Sequence, residues 1–141
     1  MISGFSMGGN MAFYFAVKYP ESFSAVTCYT ATFHHLYNKE YLTVGVHADK
    51  IPKMYERMLK EKWYLEDGNI LNLVRQNADK IRGKLKIELY VGTNDILLCD
   101  NTIMHLYLES LDILHKYREF NGTDHDLERI IFFLDSEQFD G

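Results

Sequence analysis

The sequence predicts an α/β fold: a mostly parallel sheet flanked by helices, in a single domain spanning residues 1–141. Three observations point there. Short apolar runs suited to strands alternate with stretches of helical periodicity. The run Ala25-Val26-Thr27-Cys28-Tyr29 is continuous and rich in β-formers, as a strand buried on both faces requires. Each later strand ends in a Gly- and Asp-containing turn, at the edge where open α/β sheets gather their functional groups.

The elements follow in order. Met1-Ile2-Ser3 leave room for only a strand stub. Met7 to Tyr19 has the pattern of a helix, apolar on nearly every face and therefore expected to be buried, and Pro20 stops it. Residues 31–83 form a helical insertion between two strands. Within it Ile51, Met54, Tyr55, Met58, Leu59 and Trp63 repeat at helical spacing, with Pro52 acceptable near the helix start. A second helix carries Ile70, Leu71, Val74, Ala78 and Ile81, with Gly83 as its C′ residue. Leu85, Ile87, Leu89 and Val91 alternate with Lys86, Glu88 and Tyr90, which is strand spacing with one wetter face. Asp100 or Asn101 is expected to cap a helix running to about His115. Lys116 to Phe120 is a short strand and Asp124 to Phe133 a final helix. Residues Asp135 to Gly141 are expected to fray.

Composition excludes several classes. Hydrophobic residues make up 47% and aromatic residues 14%, enough for a filled core rather than disorder. The net charge of −5 carries no basic cluster, so no nucleic-acid partner is expected. The longest apolar run, Met11 to Val17, is too short to cross a bilayer, and no membrane partner is expected. No leader pattern opens the chain. Cys28 and Cys99 match no zinc or redox spacing and fit two free thiols in a reducing compartment, hence a cytoplasmic location. His47, His105 and His115 show no metal-binding arrangement; neither metal nor cofactor is expected.

Gly4-Phe5-Ser6-Met7-Gly8 is a G-x-S-x-G pentapeptide, the sharp strand-to-helix turn that holds a nucleophilic serine. Both glycines are expected to relieve crowding in it. A serine hydroxyl needs a base to take its proton and a carboxylate to orient that base. The strand over 85–91 ends in Gly92-Thr93-Asn94-Asp95, and the strand over 116–120 in Asn121-Gly122-Thr123-Asp124-His125. Ser6, Asp95 and His125 thus fall on one sheet edge in the chain order such a fold uses. Met7 would donate a backbone N–H to the developing oxyanion. Asp100 is the rival acid, with a helix cap as its plainer role. Asp124 and Asp126 flank His125, but adjacent side chains diverge. His34 and His35 follow the strand ending at Tyr29 and lie near a substrate, or are ordinary loop histidines. Trp63 and its apolar neighbours line a substrate cap or pack a core. Phe5 sits beside the scissile bond or packs in the core.

Gly4-Phe5-Ser6-Met7-Gly8-Gly9-Asn10-Met11-Ala12, followed by Tyr19-Pro20-Glu21-Ser22-Phe23-Ser24-Ala25-Val26, resembles the nucleophile region of the esterase D-like family of putative esterases. That α/β-hydrolase family includes S-formylglutathione hydrolases, feruloyl and acetyl-xylan esterases, enterochelin-esterase-like proteins and mycolyltransferases. Gly92-Thr93-Asn94-Asp95 with Asp100-Asn101 resembles its acid loop. Tyr117-Arg118-Glu119-Phe120 with Gly122 and His125-Asp126 resembles its histidine segment, although Thr123-Asp124 lengthen the link to His125. The resemblance runs from about Ile2 to Leu127 and implies a serine hydrolase of small-molecule esters or thioesters. It further implies that the chain is the C-terminal portion of an α/β-hydrolase fold, with the N-terminal strands and the second oxyanion donor absent. Losing one such donor lowers rate by about 10²–10³. An uncovered sheet edge also invites pairing with another chain, so a homo-oligomer, or a non-catalytic fragment serving as an interaction module, is the alternative. An acyltransferase on the same fold stays open as well.

Overall fold

The computed structural model describes residues 1–33 and 70–140, without the side chains of Cys99 and residues 138–140. The helix expected over 51–63, with Trp63, and His34, His35 and His47 lie outside the described residues. Four strands, β1 (Ile2–Phe5), β2 (Ala25–Tyr29), β3 (Lys86–Gly92) and β4 (Lys116–Phe120), form one sheet in the order β1-β2-β3-β4. All three pairings are parallel, with Phe5 opposite Tyr29, Tyr29 opposite Tyr90, and Gly92 opposite Phe120. The C-terminal ends of the strands therefore meet at one rim.

Helices cover both faces. Helix α1 (Met7–Lys18) joins α2 (Ile70–Gln76), α3 (Ala78–Ile81) and α4 (Leu98–Ser110) over one face. Phe13, Val17, Val26, Ile87, Leu89 and Leu108 interlock there with almost no exposure. Burial of each such side chain contributes about 1.5–3 kcal/mol. Helix α5 (Leu127–Asp140) packs on the other face, where Ile130 meets Tyr90 and Phe120. Tyr90 is thus buried, although it alternates with the wetter Lys86 and Glu88; α5 covers only the C-terminal part of that face. No helix among the described residues is long and apolar enough to cross a membrane.

Several boundaries differ from the sequence expectation, each for a local reason. Helix α1 buries only the face with Gly9, Ala12, Phe13, Ala16 and Val17, while Met7, Met11 and Phe15 stay exposed. The helix expected over 70–81 breaks at Asn77, whose side chain donates to Val17 O at 2.7 Å. Gly83 does take the left-handed conformation its C′ position asks for, at φ 71°. Helix α4 starts at Leu98 because Asp95 organises the turn before it: Leu97 N–H reaches Asp95 Oδ1 at 2.8 Å and Leu98 N–H reaches Asp95 O at 3.1 Å. Asp100 and Asn101 therefore lie inside the helix and are buried, rather than capping it.

Helix α4 also stops at Ser110, short of His115. Ile113 N–H bonds Leu108 O and Asp112 N–H bonds Glu109 O, both at 3.0 Å, with Asp112 at φ 55°. This is a Schellman stop with Asp where glycine is usual. Helix α5 begins at Leu127, where the Asp126 carboxylate accepts from Arg129 N–H at 3.1 Å and caps it. It continues through Asp140, so residues 135–140 of the expected frayed tail are helical.

Candidate active site

Ser6 joins β1 to α1 with φ 57° and ψ −120°, a strained conformation for a residue with a side chain. Three hydrogen bonds hold it: Ser6 N–H to Tyr29 O at 2.9 Å, Thr32 N–H to Ser6 O at 3.1 Å, and Asn10 N–H to Ser6 O at 3.2 Å. The elbow is tight because Gly4 and Gly9 lack side chains. A Cβ on Gly4 would sit 2.1 Å from Gly8 O, and one on Gly9 would sit 2.9 Å from Ala31 Cβ. Gly8, expected to relieve crowding, faces open space instead. The second crowded glycine falls one residue beyond the pentapeptide, because the first turn of α1 sets Gly9, not Gly8, against Ala31 just past β2. The Ser6 hydroxyl caps no helix N–H, and Met7 N–H lies in the first turn, where intrahelical acceptors are missing.

Asp95 and His125 come together as expected. Asp95 Oδ2 lies 2.8 Å from His125 Nδ1, and the carboxylate is fully buried while the imidazole is part-exposed. A carboxylate only accepts, so Nδ1 carries a proton, and in the neutral ring the lone pair is then on Nε2. Two loops deliver this pair. Thr93 N–H bonds Phe120 O at 3.0 Å, Asn94 N–H bonds Thr123 O at 2.9 Å, and Gly122 N–H bonds Thr93 Oγ1 at 2.8 Å. A Cβ on Gly92 would meet Thr123 O at 1.9 Å, so the lengthened histidine loop crosses directly over that glycine.

The Phe5 ring packs against the His125 ring, centroids 4.6 Å apart and tilted by 34°. Phe5 immediately precedes Ser6, so this contact sets the imidazole beside the serine turn. No hydrogen bond joins the Ser6 hydroxyl to His125 among the described residues. The carboxylate on His125 is that of Asp95, not of Asp100. His34 and His35 lie outside the described residues.

The structure adds a residue that the sequence did not single out. Thr30, buried and at φ 44°, places Oγ1 3.1 Å from His125 Nδ1. Its N–H bonds Tyr90 O at 2.7 Å. The only signal for it was position: it is the first residue past β2, on the same rim. A cavity of about 380 Å³ on the α5 face, lined by Tyr29, Glu88, Tyr90, Lys116 and Asp135, includes none of these site groups. Burial, then a hydrogen bond to Glu88, push the Tyr90 hydroxyl's pKa well up.

Comparison with known proteins agrees with this architecture. Residues 1–129 match the model of the family described as "Putative esterase". No curated protein matches. Among solved structures, a ferulic acid esterase superposes with a TM-score of 0.66 at 19% identity, over 94% of this chain and 46% of its own. An S-formylglutathione hydrolase from Staphylococcus aureus gives 0.61 at 20% identity, over 89% and 43%. Esterase B from Lactobacillus rhamnosis gives 0.67 at 12%, over 97% and 50%. The chain therefore spans about half the length of these structures and shares their fold. With a parallel sheet, a serine turn and an Asp-His pair at one rim, the chain belongs to the putative esterase family of α/β-hydrolase fold.

Proposed function

We propose that this chain carries the catalytic groups of a serine hydrolase that cleaves carboxylic esters or thioesters through an acyl-enzyme. The observation that carries the reading is the buried Asp95 bonded to His125, with the His125 ring packed against Phe5, the residue before Ser6. Ser6 is the nucleophile. His125 Nε2 takes the Ser6 proton as Oγ attacks the carbonyl carbon, and returns it to the leaving oxygen or sulfur as that bond breaks. Asp95 holds the tautomer and stabilises the imidazolium. Met7 N–H, at the positive end of α1, faces the developing oxyanion. Water then attacks the acyl-enzyme with His125 again as base. The serine–histidine bond forms with substrate, since such contacts tighten in the reacting complex.

The substrate class follows the same line. Neighbours named for ferulic acid and S-formylglutathione act on an ester and a thioester, and the described residues of this site offer nothing selective against either. Phe5, His34 and His35 are the candidate substrate contacts. Turnover of a p-nitrophenyl ester and of an S-acyl thioester should be measurable and lost in Ser6→Ala, with a covalent acyl adduct on Ser6 seen by mass spectrometry. Turnover that survives Ser6→Ala rejects the proposal.

One observation favours a second reading. In the described sheet β1 pairs only with β2, and the chain spans 46% of the ferulic acid esterase. A non-catalytic module would pair along that edge with a partner or a second copy. Sedimentation separates the two: a well-folded monomer with turnover excludes it, whereas an inert dimer supports it.

A further inference from the structure

We propose that Thr30 is a positioning residue for His125, its hydroxyl oxygen sharing the Nδ1 proton with Asp95. The proposal rests on the reading of His125 as the base. Two oxygens converge on one ring nitrogen: Asp95 Oδ2 at 2.8 Å and Thr30 Oγ1 at 3.1 Å. Asp95 can only accept. The proton therefore sits on Nδ1, and the threonine oxygen accepts from it as well, in a three-centre bond.

Each anchor comes from a different strand. Asp95 follows β3, Thr30 follows β2, and the imidazole itself rides on the loop after β4. A ring tethered by one carboxylate keeps the freedom to swing about that bond. A second acceptor from another direction, with the Phe5 ring against one face, fixes the plane and so the aim of Nε2.

The backbone around Thr30 supports the same role. A β-branched residue at φ 44° is an outlier, where glycine or asparagine would sit without strain. Threonine there keeps a buried hydroxyl on the imidazole. The segment is also stitched to both neighbours: Thr30 N–H to Tyr90 O, and Thr32 N–H to Ser6 O. The end of β2 thus connects the serine turn, the base and the strand that carries the acid.

The test compares Thr30→Val, which keeps shape and loses the hydroxyl, with Thr30→Ser, which keeps the hydroxyl. Steady-state hydrolysis of a p-nitrophenyl ester and the downfield Nδ1 proton resonance of His125 are the readouts. Thr30→Val should lower kcat about tenfold with KM within twofold, and broaden the resonance by solvent exchange. Thr30→Ser should restore most of kcat and the sharp resonance. If Thr30→Val does not fold, Thr30→Ala replaces it. Equal loss in the serine and valine variants would assign Thr30 to packing and overturn the proposal, as would wild-type behaviour of the valine variant. His125→Ala is the control for the underlying reading. If turnover survives it, the hydrolase assignment fails and the positioning role falls with it.

Discussion

Histidines sit at opposite ends of the same sheet, and among the described residues only His125 combines a buried carboxylate with a place beside the serine turn. At the C-terminal rim, His125 bonds a fully buried carboxylate and packs against Phe5, beside the serine turn. At the other end, His115 precedes β4, accepts from His105 Nδ1 at 2.7 Å, and donates its own Nδ1–H to Ile113 O at 2.8 Å. His105 stacks on Tyr117 at 4.1 Å, and its Nε2 lies 3.5 Å from the largely exposed Glu109. That chain of bonds ends on a backbone carbonyl and a solvated acid, so both imidazoles are spent on structure. The difference teaches that a base needs a shielded orienting charge and a free ring nitrogen beside a nucleophile, not merely a histidine in a network.

The largest effect that could break this contrast lies in the acid. Asp95→Asn should lower turnover by about 10⁴-fold, measured as kcat/KM on a p-nitrophenyl ester, while His105→Gln should leave it unchanged. Comparable losses in both would erase the distinction. Next in size come the glycines. Gly4→Ala and Gly92→Ala place a methyl within 2.1 and 1.9 Å of backbone oxygens and should each destabilise by about 3 kcal/mol or more in urea unfolding. Gly8→Ala meets nothing and should stabilise by about 0.5–1 kcal/mol as a helical substitution. Equal effects at Gly4 and Gly8 would contradict the crowding account.

Smaller effects belong to the opposite end. His105→Gln should cost about 0.5–1.5 kcal/mol, the net value of one hydrogen bond. Tyr117 there is held neutral by burial first, then by its bond to Glu119, and its pKa is raised to about 12. Between pH 10 and 12 the unfolded chain loses this proton while the folded one keeps it. The phenol's stabilisation is therefore complete below pH 10 and disappears as pH rises through 12. Thermal melts of Tyr117→Phe should fall less steeply over that window than those of wild type; parallel falls would rule the tyrosine out.

The strands were legible because buried parallel strands carry their own signal: Ala25–Tyr29 was recovered to the residue, and β4 likewise. The Asp95–His125 meeting was legible because strand ends converge on one rim whatever the loops do. Helix ends were not. Asp112 stops α4 in a conformation usually left to glycine, and α5 starts at Leu127, capped by Asp126, rather than at Asp124. Thr30 was invisible because a hydroxyl at a strand end looks like any other until the register brings it to His125. The exposed stripe on α1 is not legible in the sequence, since an all-apolar run does not say which face is covered.

Fluorophosphonate labelling of the 141-residue chain, with the adduct mapped by mass spectrometry, tests the central claim most directly. An adduct is expected on Ser6, lost in Ser6→Ala, nearly lost in His125→Ala, and retained in His105→Gln. Labelling of Ser6 that is indifferent to His125, or an adduct on any other residue, contradicts it.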